Sequence, residues 1–127
     1  MAEMVTIREQ DLIDSVADAL QFISYYHPMD YIRALGEAYQ AEQGPAAKDA
    51  IAQILTNSRM CAEGHRPICQ DTGIVNVFVE WGQDCRLESG RSLQEVVDEG
   101  VRHAYNHPEN KLRASVLADP AFTRRNT

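Results

Sequence analysis

The chain has 127 residues, enough for one ordinary domain or a piece of a larger one, and its 44% hydrophobic share argues against disorder. Its 12 basic against 19 acidic residues give a net charge of -7, a surface unsuited to nucleic acid or an anionic membrane. Three cysteines with no secretory leader, and no apolar run long enough to span a bilayer, read as a reducing, cytoplasmic setting without a disulfide framework.

Thr6-Ile7-Arg8-Glu9 has the form of a capping box, with Thr6 as cap and Glu9 reaching back. Behind it Ile13, Val16, Ala17, Leu20 and Ile23 recur at helical spacing and predict one buried stripe. Tyr25-Tyr26-His27-Pro28 ends this helix, because the residue before a proline avoids helical geometry. Pro28 then opens a second helix with Tyr31, Leu35, Ala38 and Tyr39 inward, and Gly44-Pro45 repeats the punctuation. A third helix carries Ala47, Ile51, Ile54, Leu55 and Ser58 along one face. Three short-linked helices predict a small antiparallel bundle. Gly64 suits the left-handed cap of the third, and Pro67 confirms the stop.

Ile74 to Trp81 alternates, with Val75, Val77, Val79 and Trp81 on one face, and reads as a strand. Gly82-Gln83-Asp84 turns it into a short second strand, Cys85 to Glu88. Ser92-Leu93-Gln94-Glu95 is another capping box and opens a helix with Val96, Val97, Val101 and Ala104 facing inward. The fold class expected is therefore α+β: an N-terminal helical bundle, a short antiparallel strand pair, then one further helix, together forming a partial domain.

Chemistry concentrates between these elements. Cys69, Gln70, Asp71 and Thr72 bring a thiol, an amide, a carboxylate and a hydroxyl together at the mouth of the predicted strand. Such a set suits a metal-bound site that handles a small polar anion. Cys61 and Cys85 fall in a helix and a strand, where a cysteine is usually a small apolar residue. Cys61, His65 and Cys69 stand four apart, which leaves open a zinc-holding or partner-binding helical module. Gly64 and Pro67 break the helix between them, however, and no fourth ligand is evident. Asp71 reads equally as a turn residue, and Arg113 as either a surface ion pair or a two-pronged carboxylate ligand.

The string Cys-Ala-Glu-Gly-His-Arg-Pro-Ile-Cys-Gln-Asp-Thr-Gly, residues 61–73, resembles the N-terminal domain of class I fumarases, the iron–sulfur-dependent fumarate hydratases. Tartrate dehydratase α subunits share that domain. The opening helices, Ala50 to Arg59, Glu99 to Tyr105, Asn110 to Arg113 and the closing Arg125-Asn126-Thr127 extend the likeness along nearly the whole chain. The resemblance implies that residues 1–127 are an N-terminal fragment of an iron–sulfur hydro-lyase domain. The activity it implies is reversible hydration of fumarate to L-malate, with dehydration of tartrate the alternative. In that family Cys69 matches the first of three cysteines holding a [4Fe–4S] cluster. Gln70 and Asp71 match residues contacting bound malate, Asp71 matches the proposed catalytic acid, and Arg113 matches a substrate-carboxylate ligand. The family's other two cluster cysteines match nothing up to Thr127, so the fragment alone is expected to hold no intact cluster and to be inactive. The expected partners are the small dicarboxylate, the remainder of the enzyme or a β subunit, and a second copy in a homodimer when complete.

Overall fold

A computed structural model describes residues 3–69, 73–106, 108 and 112. In chain order it contains β1 (Val5–Arg8), α1 (Glu9–Tyr25), α2 (Met29–Ala41), α3 (Pro45–Gly64), β2 (Cys85–Glu88) and α4 (Leu93–Asn106). These elements divide into two compact units. The first gathers β1, α1 as far as Gln21, the 73–82 segment, β2 and α4; the second spans Phe22–Gln70.

The first unit corrects the expected strand pair. β2 forms where the sequence predicts a strand, but its partner is β1, and the two run parallel with Val5 opposite Cys85 and Arg8 opposite Glu88. None of residues 73–82 belongs to a strand. The physical reason lies at the turn. Cys85 N–H bonds back to the Gly82 carbonyl at 3.1 Å, and the next acceptor, the Asp84 carbonyl, is taken by Val5 N–H at 2.9 Å. The Cys85 carbonyl accepts from the Trp81 side chain, Nε1–H, at 3.0 Å. A parallel pair needs a long crossover, and here α1, α2 and α3 supply it.

The same pairing overturns the first capping box. Thr6 lies in β1, the helix starts at Glu9, and the Glu9 carboxylate bonds to Arg91 and Ser89 next to β2. Arg8 takes up the helix start differently, gripping Asp11 with two guanidinium nitrogens at 2.8 and 2.7 Å. At α4 the second capping box forms as read: Ser92 N–H donates to Glu95 Oε2 at 2.8 Å, and Glu95 N–H donates to Ser92 Oγ at 3.3 Å.

The core of this unit joins α1 to α4. Ala17 and Leu20 pack with Val101, Ala104 and Tyr105, and Val16, Val75 and Leu112 flank them. All four α4 positions expected to face inward are buried. Gly100 lets α4 sit directly on α1, since a Cβ there would collide with Val16. Along α1, Ile13 is buried as expected while Ile23 is 63% exposed.

In the second unit α2 and α3 pack together, with no α2 residue fully buried. Pro28 is the N-cap of α2 and Pro45 occupies the first turn of α3, so both prolines begin helices. Ser58 and Cys61 are the buried residues of α3.

Candidate functional site

The loop that delivers Cys69 starts where α3 stops. Gly64 is still helical, and His65 takes the left-handed conformation, φ 48 and ψ 56, with its N–H on the Cys61 carbonyl. The sequence points to Gly64 for this role because glycine adopts positive φ without cost, whereas a residue with a Cβ loses roughly 1–2 kcal/mol there. What retains His65 is its ring. It stacks on Tyr25 with centroids 5.5 Å apart and planes 5° from parallel, and Nε2 shares a 2.9 Å hydrogen bond with the Tyr26 hydroxyl. A stacked pair contributes roughly 0.5–1.5 kcal/mol beyond burial, comparable to the backbone cost. Tyr26 is itself braced against Phe22, ring centroids 4.8 Å apart. Burial, and then electrostatic repulsion from the neighbouring Tyr26 phenol, push the Tyr25 phenol above its usual range.

Beyond His65 the chain is held from both sides. Pro67 is buried, and its carbonyl accepts from the Cys61 thiol at 3.5 Å. Ile68 N–H donates to the Ser24 carbonyl at 2.9 Å, while the Ile68 carbonyl accepts from Asn57 Nδ2 at 3.1 Å. Nearby, His27 Nδ1 and the buried Ser58 hydroxyl share a 2.9 Å hydrogen bond. Cys69, the next residue after this clamp, is exposed.

Of the residues singled out from sequence, Cys69 is thus an exposed thiol at the end of an anchored loop. Gln70, Asp71, Thr72 and Arg113 lie outside the described residues. Cys61 is buried and Cys85 partly buried, as expected for small apolar side chains. The zinc grouping does not assemble: Cys61 Sγ faces the Pro67 carbonyl and Asn57, and His65 Nε2 faces Tyr26. Among the described residues no three His, Cys, Asp or Glu side chains converge as metal ligands. An exposed thiol on a fixed loop fits a single soft ligand to a shared iron–sulfur centre, because thiolates from distant parts of a chain hold such centres. Sequence reading missed Tyr25 and Tyr26, which it used only as a stop signal. The adjacent aromatic pair at a helix end was the available sign.

In the first unit Val75, Val77 and Val79 line one side of an open groove of about 300 Å³, with Leu93, Val97 and Val101 of α4 opposite. Phe78, on the other face of the alternation, is 95% exposed. Among the described residues no helix is long and apolar enough to cross a membrane.

The family model described as fumarate hydratase (Fumerase) matches residues 13–127. A Methanocaldococcus jannaschii protein with the provisional name L(+)-tartrate dehydratase subunit alpha is 32% identical over 104 residues, 82% of this chain and 36% of its own length. The L(+)-tartrate dehydratase subunit alpha of Escherichia coli strain K12 is 28% identical over 116 residues, 91% of this chain and 38% of its own length. The match to the protein of that name from Shigella sonnei has the same extent. The chain therefore spans little more than a third of the length of these curated relatives.

Proposed function

Because this chain belongs to the fumarate hydratase (Fumerase) family, we propose that it supplies part of the active site of a hydro-lyase acting on a small dicarboxylate, interconverting fumarate and L-malate. The observation that carries this reading is that the family match contains the whole Cys69-Gln70-Asp71-Thr72-Gly73 sequence, led by a thiol that is exposed on a clamped loop. In this proposal residues 1–127 are the N-terminal portion of a longer enzyme, and the rest of that enzyme or a second subunit completes the site.

Each side chain has a separate task. Cys69 would be one thiolate ligand of a [4Fe–4S] cluster whose other ligands come from outside this chain. When bound, such a cluster would supply Lewis acidity toward the substrate's oxygens. Arg113 pairs with a substrate carboxylate through two parallel N–H donors, and the Gln70 amide orients a second polar group. Asp71 gives a proton to the departing hydroxyl in the malate-to-fumarate direction and takes it back from water in reverse. The base that removes the carbon-bound proton is assigned to the remainder of the enzyme.

Dehydration of tartrate is a second reading, favoured by the names of the relatives from M. jannaschii and E. coli. Tartrate differs from malate by one hydroxyl, so rates of the complete enzyme on malate and on tartrate isomers separate the two. The main test uses two variants of the complete enzyme. Cys69→Ser is expected to lack iron and sulfide. Asp71→Asn is expected to keep both and to lose about 10²–10⁴-fold in turnover, the usual contribution of a general acid. Near-normal turnover in Asp71→Asn removes that residue from the role.

A further inference from the structure

His65 is the only non-glycine residue at positive φ among the described residues, and capping α3 does not require its side chain. The cap is made by backbone: both the His65 and the Arg66 N–H groups go to the Cys61 carbonyl. Glycine would perform that task without strain, and a glycine stands one position earlier. The imidazole, by contrast, is engaged twice at the end of α1, stacked on Tyr25, its last residue, and in hydrogen-bond contact with Tyr26, which follows it. Three residues later the end of α1 holds the loop again, through the Ser24 carbonyl and Ile68 N–H. Cys69 follows immediately. The ring and the Ile68 bond are therefore two ends of one clamp, and the direction in which the chain leaves it sets where the Cys69 sulfur lies.

We infer that His65 is a positioning residue for Cys69: its imidazole, held by Tyr25 and Tyr26, fixes the 65–68 loop so that the thiol is presented in one place to the metal centre. This inference rests on the proposed reading of Cys69 as a cluster ligand. It makes His65 a partner of aromatic side chains and not a metal ligand itself.

The decisive variant is His65→Gly, which keeps the left-handed cap and removes only the ring. In the 127-residue chain, amide hydrogen exchange at Ile68 is expected to quicken by about tenfold in His65→Gly while helix content by circular dichroism is retained, because a local closing contact has been lost without global unfolding. Tyr26→Phe removes one hydrogen bond, keeps the stacking surface, and is expected to give a smaller change in the same direction. It serves as the measurement if His65→Gly fails to fold. In the complete enzyme, His65→Gly is expected to release iron to a chelator several-fold faster than the parent. Unchanged Ile68 exchange in the folded variants overturns the clamp. Faster exchange with parental iron release overturns the positioning role. The underlying reading is tested apart from both, since a Cys69→Ser enzyme retaining its full iron and sulfide removes Cys69 as a ligand whatever the exchange data show.

Discussion

Gly100→Ala separates two physical effects of opposite sign. In a helix interior alanine is favoured over glycine by roughly 0.8–1.0 kcal/mol, so propensity alone predicts a more stable protein. The geometry predicts the reverse. A Cβ on Gly100 would lie 2.7 Å from Val16 Cβ, 2.9 Å from Val16 Cγ1 and 3.1 Å from the Ile13 carbonyl oxygen. Two of these three atoms, Val16 Cβ and the Ile13 oxygen, cannot rotate away, so α1 and α4 must separate. Overpacking costs about 1–3 kcal/mol. With two of the three clashing atoms immobile, the upper half of that range, about 2–3 kcal/mol, applies, and against the propensity gain the expected net loss is about 1–2 kcal/mol. With a urea slope of about 2 kcal/mol/M, the middle of the usual range, the unfolding midpoint should fall by about 0.5–1 M. Val16→Ala should rescue only partly, because it removes Cγ1 and leaves the closer Cβ. The double-mutant cycle should show a favourable coupling between the two substitutions. A Gly100→Ala midpoint equal to or above the parent's would refute the close approach of the two helices.

Three further outcomes are expected. Ser92→Ala should lower stability by about 1 kcal/mol, the usual loss for an N-cap, read from the same urea curves. The Glu95 carboxyl lies below its ordinary 4.5, held down first by Ser92 N–H and then by the Ser92 hydroxyl, and Glu9 is lowered chiefly by Arg91 and then by Ser89. A folded pKa below the unfolded one contributes stability above about pH 4.5 that is lost as pH falls through the lowered value. Stability profiles of Glu9→Gln and Glu95→Gln should therefore be flatter than the parent's in that acid range, and superimposable profiles would contradict the assignment. Cys61→Ala in the complete enzyme should retain iron while losing stability, since Cys61 is buried and bonds to Pro67 and Asn57; iron loss equal to that of Cys69→Ser would instead make it a ligand.

The helices were legible where their ends are marked locally. Pro28, Pro45 and the Ser92–Glu95 pair act within a few residues, and the structure places α2, α3 and α4 accordingly. Thr6–Glu9 has the same local form, yet Thr6 to Arg8 became strand and Glu9 the first residue of α1, because the deciding partners, β2 and Arg91, are some 80 residues away. For the same reason the strand pair was misread: alternation in 74–81 marks which side chains face α4, and Val75 and Val97 do share a groove, but a period of two says nothing about who supplies the hydrogen bonds. At the site, the place of Cys69 in a loop after α3 was legible from the stop at Gly64 and Pro67, but its exposure was not, since a lone cysteine reads as readily as a buried thiol. The His65 clamp was not, since Gly64 gave the cheaper cap and only the packed rings reverse that preference.

The clamp also shows how a fixed loop can be held without elaborate machinery. The last carbonyls of any helix lack partners within it. At the end of α1 the Phe22 carbonyl is taken by Tyr26 N–H, and the Ser24 carbonyl is taken by Ile68 N–H. One hydrogen bond thus caps α1 and fixes the residue before Cys69. Asn57, on α3, takes the Ile68 carbonyl, so both polar groups of that peptide unit's residue are satisfied by helices. Moving Ile68 would break both of these bonds at once. If Cys69 is a cluster ligand as proposed, an anchored residue before it lowers the ordering cost of binding, and lower ordering cost means tighter binding for the same ligand set. That is the physical reason to expect the loop's anchors, and not only its cysteine, to govern how firmly a metal centre is held.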